Sequence, residues 1–345
     1  ISRSFEVPAN IEMAMLFLIS LVVPLTSSLS NFPIVHTRYG PVRGYEYQAK
    51  NGFVAEIFKI FLNVLVIIAI VHSKMMKLHS PVYIFAFATI INDMLMIFLH
   101  LLYFAPSCFF QDFLFPGIFV EEGRKVLDLI LMICWYHGTL SHVVIAINRF
   151  ATVIFYQYPI FTRYRVVIIA FIQIIASIGL AVMTQFIFPC CRLSLTYTVF
   201  TYTYLEIPGV PNYTNMFDLP LNSVASITPL IAYSAIAVVL YRSNEKIGTG
   251  RIREYIFAIQ FAVMALIYTL VWMSVRVLPM ILTGTDKLYL YGITTCLTLC
   301  NTSTNAVVYL TNNREIKKSL RSFNNAIQTS STVVPSSKRI SIQRN

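Results

Sequence analysis

Charge is what this chain of 345 residues has least of. Asp, Glu, Lys and Arg make up only 12% of it, against about 25% in an ordinary soluble domain. Hydrophobic residues supply 57%, and mean hydropathy is +0.69. The expected solvent is therefore a lipid bilayer. Hydrocarbon offers the backbone no water to bond, so a spanning segment must be a helix or part of a closed barrel. The alternating ten-residue segments of a barrel are missing, which leaves helices. Also missing are a phosphate-binding glycine loop, a nucleophile elbow, a zinc-protease motif, paired catalytic groups and any internal repeat. These absences argue against an enzyme or a transporter. His137 and His142 stand five residues apart, about 140° round a helix, which suits no shared metal. No cofactor and no metal are expected.

Acids are scarcer than bases, 15 against 26, for a net charge of +11. That balance would suit nucleic acid if the cations were clustered, but they sit mostly in short loops and the tail beside apolar runs. This is the pattern that sets membrane topology.

Seven apolar runs are present, at 53–72, 83–104, 126–147, 165–188, 220–241, 255–280 and 288–310. Each is near the ~20 residues that cross the ~30 Å hydrocarbon core as a helix. Sixteen Lys and Arg fall in the loops after spans one, three and five and in the tail, and eight fall on the other side. The positive-inside rule then puts the N-terminus outside and the tail in the cytosol. The fold class expected is an all-α membrane protein: a seven-transmembrane helix bundle with a short cytoplasmic amphipathic helix.

Three regions follow: an extracellular segment 1–52, the transmembrane domain 53–310, and a cytoplasmic stretch 311–345. Met13 to Leu25 is an apolar run of 13 residues, short for a span and similar to a signal-peptide core; an interfacial helix is the rival reading. After span seven, Ile316, Leu320 and Phe323 share one helical face and the cations lie largely on the other, as suits a helix lying on an anionic leaflet. Residues 328–337 are rich in Ser and Thr and show no core-forming pattern.

Of the six Cys, Cys108, Cys190 and Cys191 fall in outer loops, where disulfides persist. A bridge from Cys108 to one of the adjacent pair would tie the top of span two to the second outer loop; the alternative is free thiols. Asn212-Tyr213-Thr214 is a glycosylation sequon on the same side.

Polar groups inside spans face the bundle rather than lipid. Asp128, Trp135, His142 and Arg149 recur every seven residues on span three, nearly two turns with about 20° of drift. Asp128 is a candidate ligand contact or ordinary interior polarity. Arg149, at the edge of the membrane, is a candidate switch. On span six Trp272 and Arg276 are four apart, and Arg276 needs a counter-charge such as Asp128, an acidic ligand, or water. Span seven carries Tyr291, Thr295, Thr302, Asn305 and Tyr309 as a further stripe. The outer ends of these stripes suit a small-molecule pocket. Asn63, Asp93 and Asn305 are mid-membrane on spans one, two and seven, as a polar network would require.

Seven spans, Asn148-Arg149-Phe150 ending span three, and Asn305-Ala306-Val307-Val308-Tyr309 near the end of span seven resemble the rhodopsin-type G-protein-coupled receptors. There the motifs read Asp-Arg-Tyr and Asn-Pro-x-x-Tyr. Asn63, Asp93 and Pro229 match that family's landmarks on spans one, two and five. More narrowly, His142 through Phe150 with Pro159, Pro189-Cys190-Cys191-Arg192 and Arg253-Glu254-Tyr255 resemble the nematode serpentine chemoreceptors, class x foremost. The resemblance covers about residues 53–324.

It implies a chemosensory receptor in the plasma membrane, in sensory cilia if neuronal. An extracellular small molecule or peptide binds it, and a heterotrimeric G protein is its partner. Asn148 replaces the acid that normally neighbours the Arg, leaving Glu254 at the foot of span six as the available carboxylate for Arg149. Ala306 replaces the motif's Pro. Span seven has no Lys for retinal, and Leu131 stands where amine receptors carry Asp. The alternative class is a ligand-gated channel subunit of the insect odorant-receptor type, whose opposite orientation the loop charges oppose.

Overall fold

The structure is a computed structural model. It describes residues 34–37, 40–43, 45–72, 82–110, 112–114, 119–155, 161–197, 201–242, 249–281, 292–313 and 316–322, with backbone alone for some, among them 249–260. The Met13–Leu25 run, Tyr291, Phe323 and the Ser/Thr-rich tail lie outside the described residues, as does the side chain of Glu254.

Seven helical rods form the bundle. Span one is Tyr45–His72 and span two is Val82–Leu99, continued through His100–Phe104 into Ala105–Phe110. Span three is Phe119–Ile154, span four Arg163–Val182 continued through Met183–Ile187, span five Tyr213–Arg242, span six Thr249–Ile281 and span seven Gly292–Asn312. Four stretches are long and apolar enough to cross a membrane: Tyr83–Cys108, Val120–Ile154, Arg163–Ile187 and Tyr213–Val239. Lys59–His72 and Phe261–Val277 are shorter apolar helices. These counts cover the described residues.

Several helices outrun the apolar runs that announced them, and for two of them the local cause is on view. Span three begins at Phe119 instead of 126 because Glu121 and Glu122 bond forward along the helix. Arg124 donates to Glu121 at 2.7 Å and Lys125 to Glu122 at 2.8 Å, so the charged turn stays helical. Span five begins at Tyr213 because Asn212 caps it, its Oδ1 accepting from the Asn215 amide at 2.8 Å. The sequon Asn212 is thus an N-cap, and Thr214 is buried with its hydroxyl donating to the Thr184 carbonyl at 3.2 Å.

The all-α expectation holds for the bundle, to which two antiparallel hairpins are added: β1 (Ile34–Thr37) with β2 (Gly40–Arg43), and β3 (Leu193–Thr196) with β4 (Thr201–Tyr204). Thr201-Tyr202-Thr203-Tyr204 is the β-branched and aromatic pattern that favours a strand. The second hairpin lies over one end of the bundle, where Leu195 packs with Tyr103, Phe104 and Cys108. That end is called the hairpin end below.

The core runs along the seams between helices. Phe85, Ile145, Val166, Ile236, Phe261 and Val308 belong to one cluster joining spans two to seven. Val66, Ile70, Ile90, Ala306 and Tyr309 join spans one, two and seven. Span four is the outlier: Val167, Phe171, Ile172, Ile175 and Ile178 are exposed, as lipid-facing side chains are. Its inner face is held by Gln173, which donates to the His137 carbonyl at 3.0 Å and to the Ser141 hydroxyl. After span seven, Asn313 caps the short helix at 316–322, its Oδ1 accepting from the Ile316 amide at 3.2 Å. Ile316 is fully buried and Ser319 donates to the Ala69 carbonyl at 3.0 Å. The amphipathic helix thus turns its apolar face onto spans one and two.

Candidate functional site

Three of the four residues spaced by seven on span three do meet span six. The Arg149 guanidinium lies over the Phe261 ring, 4.8 Å from its centroid. The His142 and Tyr268 rings are 4.4 Å apart, and the Trp135 and Tyr268 rings 6.0 Å. These contacts make a continuous seam. Arg149 is only 8% exposed, so a π-face close by matters more to it than it would at a wet surface. Asn148 is buried beside it, and Thr152 donates to its carbonyl at 2.7 Å.

Asp128 departs from the series. It accepts from the Ser194 hydroxyl at 2.6 Å and from the Leu195 amide at 3.2 Å. Its carboxylate is therefore spent on β3, and it forms no pair with Arg276. It is also 1% exposed. The reason is the hairpin, which folds down onto span three and brings its own donors. Asp128 thus bonds span three to the hairpin.

The acid facing the centre of the hairpin end is Asp218 on span five, which the sequence reading passed over because it began that span at 220. Tyr136 donates to one oxygen of Asp218 at 2.6 Å and Tyr204, from β4, to the other at 3.0 Å. One turn on, Asn222 donates to the Asp218 carbonyl at 2.8 Å and accepts from Tyr268 at 2.6 Å. Tyr268 also reaches the Thr139 hydroxyl at 3.0 Å. Spans three, five and six and the hairpin are thus joined by one hydrogen-bonded chain. Burial, and then the neighbouring Asp218 carboxylate, push the Tyr204 phenol well above its ordinary range, so it remains a donor. The available signal was Asp218 and Asn222 at i and i+4, one face of a helix.

Arg276 sits at the rim of this chain, its guanidinium 6.0 Å from the Tyr204 ring centroid. Trp272 lies one turn below it on span six, and its indole N–H has no acceptor among the described residues. Thr295 is buried on span seven.

The mid-bundle network is smaller than expected. Asn305 donates to Asp93 at 2.6 Å, joining spans seven and two. Asn63 is fully buried but donates to the Lys59 carbonyl of its own helix at 3.1 Å, and its Oδ1 has no partner among the described residues. It does not join the pair. Tyr309 packs in the apolar cluster with Val66 and Tyr83, while Asn313 donates to the Tyr83 hydroxyl at 2.9 Å. A small cavity bordered by Thr89, His142, Tyr233, Phe261 and Asn305 separates the Asp93–Asn305 pair from the Arg149 seam.

The expected bridge from Cys108 is not formed. Cys190 and Cys191 are joined to each other. Cys108 keeps its thiol, buried in the cluster with Tyr103, Phe104 and Leu195. Its side chain is committed to that apolar packing, which leaves the two adjacent cysteines as each other's partner.

Seven helices in this order, with the seam of spans three and six and a polar chain beneath a hairpin, make a seven-helix bundle of the rhodopsin fold. The crystal structure of squid rhodopsin superposes with a TM-score of 0.62 at 15% identity, over 80% of this chain and 84% of that one. At that identity the likeness concerns the fold alone.

The family comes from sequence: the chain belongs to the serpentine type 7TM GPCR chemoreceptor family Srx, whose model matches residues 53–313. No curated protein matches the chain in sequence. The protein is accordingly a G-protein-coupled chemosensory receptor, a multi-pass membrane protein of a receptor family and not of an enzyme class. Such receptors take an extracellular ligand and couple to a G protein. Neither match favours a channel.

Proposed function

We propose that the hairpin end faces the outside and receives a small ligand among Trp135, Trp272, Arg276 and the Asp218 chain. The opposite end, with Arg149, faces the cytosol and a heterotrimeric G protein. The loop cations support this orientation, and sensory cilia are the proposed setting.

One observation carries the reading. The same seam of spans three and six holds Tyr268 against Trp135 near the polar chain and Phe261 against Arg149 at the far end. A ligand that favours a form with span six displaced at Tyr268 must also weaken the Arg149–Phe261 contact. Ligand binding shifts the balance only by its differential affinity for the two forms. Freed from Phe261, Arg149 contacts the G protein. Asn305 and Tyr309 act with it by tying span seven to spans one and two, Asn148 lies beside it on span three, and Glu254 is the carboxylate residue at the foot of span six. Asp93 and Asn305 link spans two and seven beside this seam.

The test is orientation with coupling. Epitopes at residue 35 and at the C-terminus should be exposed and hidden, respectively, in intact cells. The reverse pattern refutes the cytosolic role of Arg149.

A further inference from the structure

We propose that this receptor recognises small organic acids, through a carboxylate seated on Arg276 and Trp272. The inference rests on the ligand site assigned above and names the class of its ligand.

Arg276 and Trp272 are one helical turn apart, so their side chains project from one face of span six. Both are donors with no acceptor capacity: guanidinium N–H groups and an indole N–H. The Arg276 Nε and the Trp272 Nε1 are buried atoms, and neither has a hydrogen-bond partner among the described residues. Two N–H groups left unbonded in this way are costly in isolation, most of all when one belongs to a cation. Their complement is an acceptor that brings negative charge.

The described acids that face this end are already engaged. Asp128 is held by Ser194 and the Leu195 amide. Asp218 is held by Tyr136 and Tyr204. Glu121 is held by Arg124 and Arg192, and Glu122 by Lys125. Arg276 has no ion pair among the described residues; it shares a side-chain hydrogen bond with Tyr204, whose ring lies at the outer limit of a cation–π contact. Tyr204 also donates to Asp218, and Asp218 attracts the Arg276 guanidinium across the phenol without pairing with it, while the Arg276 Nε keeps no hydrogen-bond partner among the described residues.

Chemistry narrows the anion. A planar carboxylate matches the guanidinium fork and has a second oxygen to spare for the indole N–H. One cation balances one negative charge. A phosphate dianion would meet the Asp218 carboxylate without a second unengaged cation among the described residues. Trp135 and Tyr268 supply aromatic surface on the inner side, so the body behind the carboxylate is apolar.

The chain carries two tryptophans, Trp135 and Trp272, which makes the site its own reporter. In the purified full-length receptor, emission comes from these two side chains, both of which border the proposed site. The probes are hexanoate and benzoate, with hexanamide and benzamide as neutral controls of the same shape. The acids should change the emission saturably and the amides should not. R276Q should weaken the acids by about tenfold or more, as loss of a charge-assisted contact does, and R276K should recover part of that.

No saturable change with either acid, equal responses to acid and amide, or undiminished acid binding by R276Q would overturn the proposal. If R276Q fails to fold, the comparison of acid with amide on the parent decides alone. Nucleotide exchange on a purified heterotrimeric G protein separates the two readings. Acids that bind without driving exchange leave the acid site standing and sink the ligand-site reading. Exchange driven by neutral compounds, with no acid binding, does the reverse.

Discussion

Phe261→Leu is the substitution that examines the switch most directly. Leu keeps an apolar side chain against the core cluster but removes the π-face beneath Arg149. That guanidinium is 4.8 Å from the ring centroid and 8% exposed, toward the desolvated end of the range, where the contact is worth about 2 kcal/mol. If only the resting form has it, losing it raises the active-to-resting ratio by up to roughly 30-fold. A receptor whose active form is about 1% populated at rest would then show strongly raised basal signalling. The assay is ligand-independent nucleotide exchange in membranes at matched surface expression. Glu254→Gln is run in parallel, because Arg149 makes contacts beyond the ring. Unchanged basal exchange in Phe261→Leu refutes the reasoning, and a rise in Glu254→Gln alone would transfer the restraint to an ion pair.

The hairpin offers a second test. Asp128→Ala removes an acceptor of two bonds to β3, each worth about 1.5–3 kcal/mol for a charged partner; amide deuterium uptake across 193–204 should rise by at least tenfold, and unchanged uptake would dismiss Asp128 as the anchor. Tyr136→Phe leaves one Asp218 oxygen without its 2.6 Å donor and should lower thermal stability in detergent by about 1–3 kcal/mol; a neutral result would mean that the polar chain is not structural. Asn305→Leu strands Asp93 without its 2.6 Å donor and should destabilise by a similar amount of about 1–3 kcal/mol, whereas Asn63→Leu, outside that pair, should leave Asp93 undisturbed; equal effects would restore Asn63 to the network.

Much of the architecture was legible because it depends on composition along a single helix. Apolar runs have to be buried in lipid or protein, so seven of them specify seven rods. Apolar spacing of three and four placed Ile316 and Leu320 on the docked face of the last helix. The repeat of seven on span three placed Trp135, His142 and Arg149 on the face that meets span six. Asn63, Asp93 and Asn305 were recognisable as mid-membrane polar groups needing partners, but that only Asp93 and Asn305 bond each other was not.

What only the tertiary structure decided is which group answers which. Periodicity tells the face a residue occupies on its own helix, but not how far a neighbour has slid or rotated, and a hydrogen bond requires placement to a few tenths of an ångström near 3 Å. For Asp128, a ligand contact and ordinary interior polarity therefore stayed open, and a hairpin some 66 residues later in the chain supplies its donors. Asp218 was passed over although Tyr136, 82 residues away, completes it. Arg149 was matched with a carboxylate, and the described partner on span six is an aromatic ring. Cys108 was given a partner by its compartment, while packing against Leu195 settled it as a thiol. The sequence by itself determined the membrane, the number of helices and the buried faces, because these follow from solvent and periodicity. The contacts across the seams followed from how the helices and the hairpin dock, because only docking brings residues far apart in the chain within bonding distance.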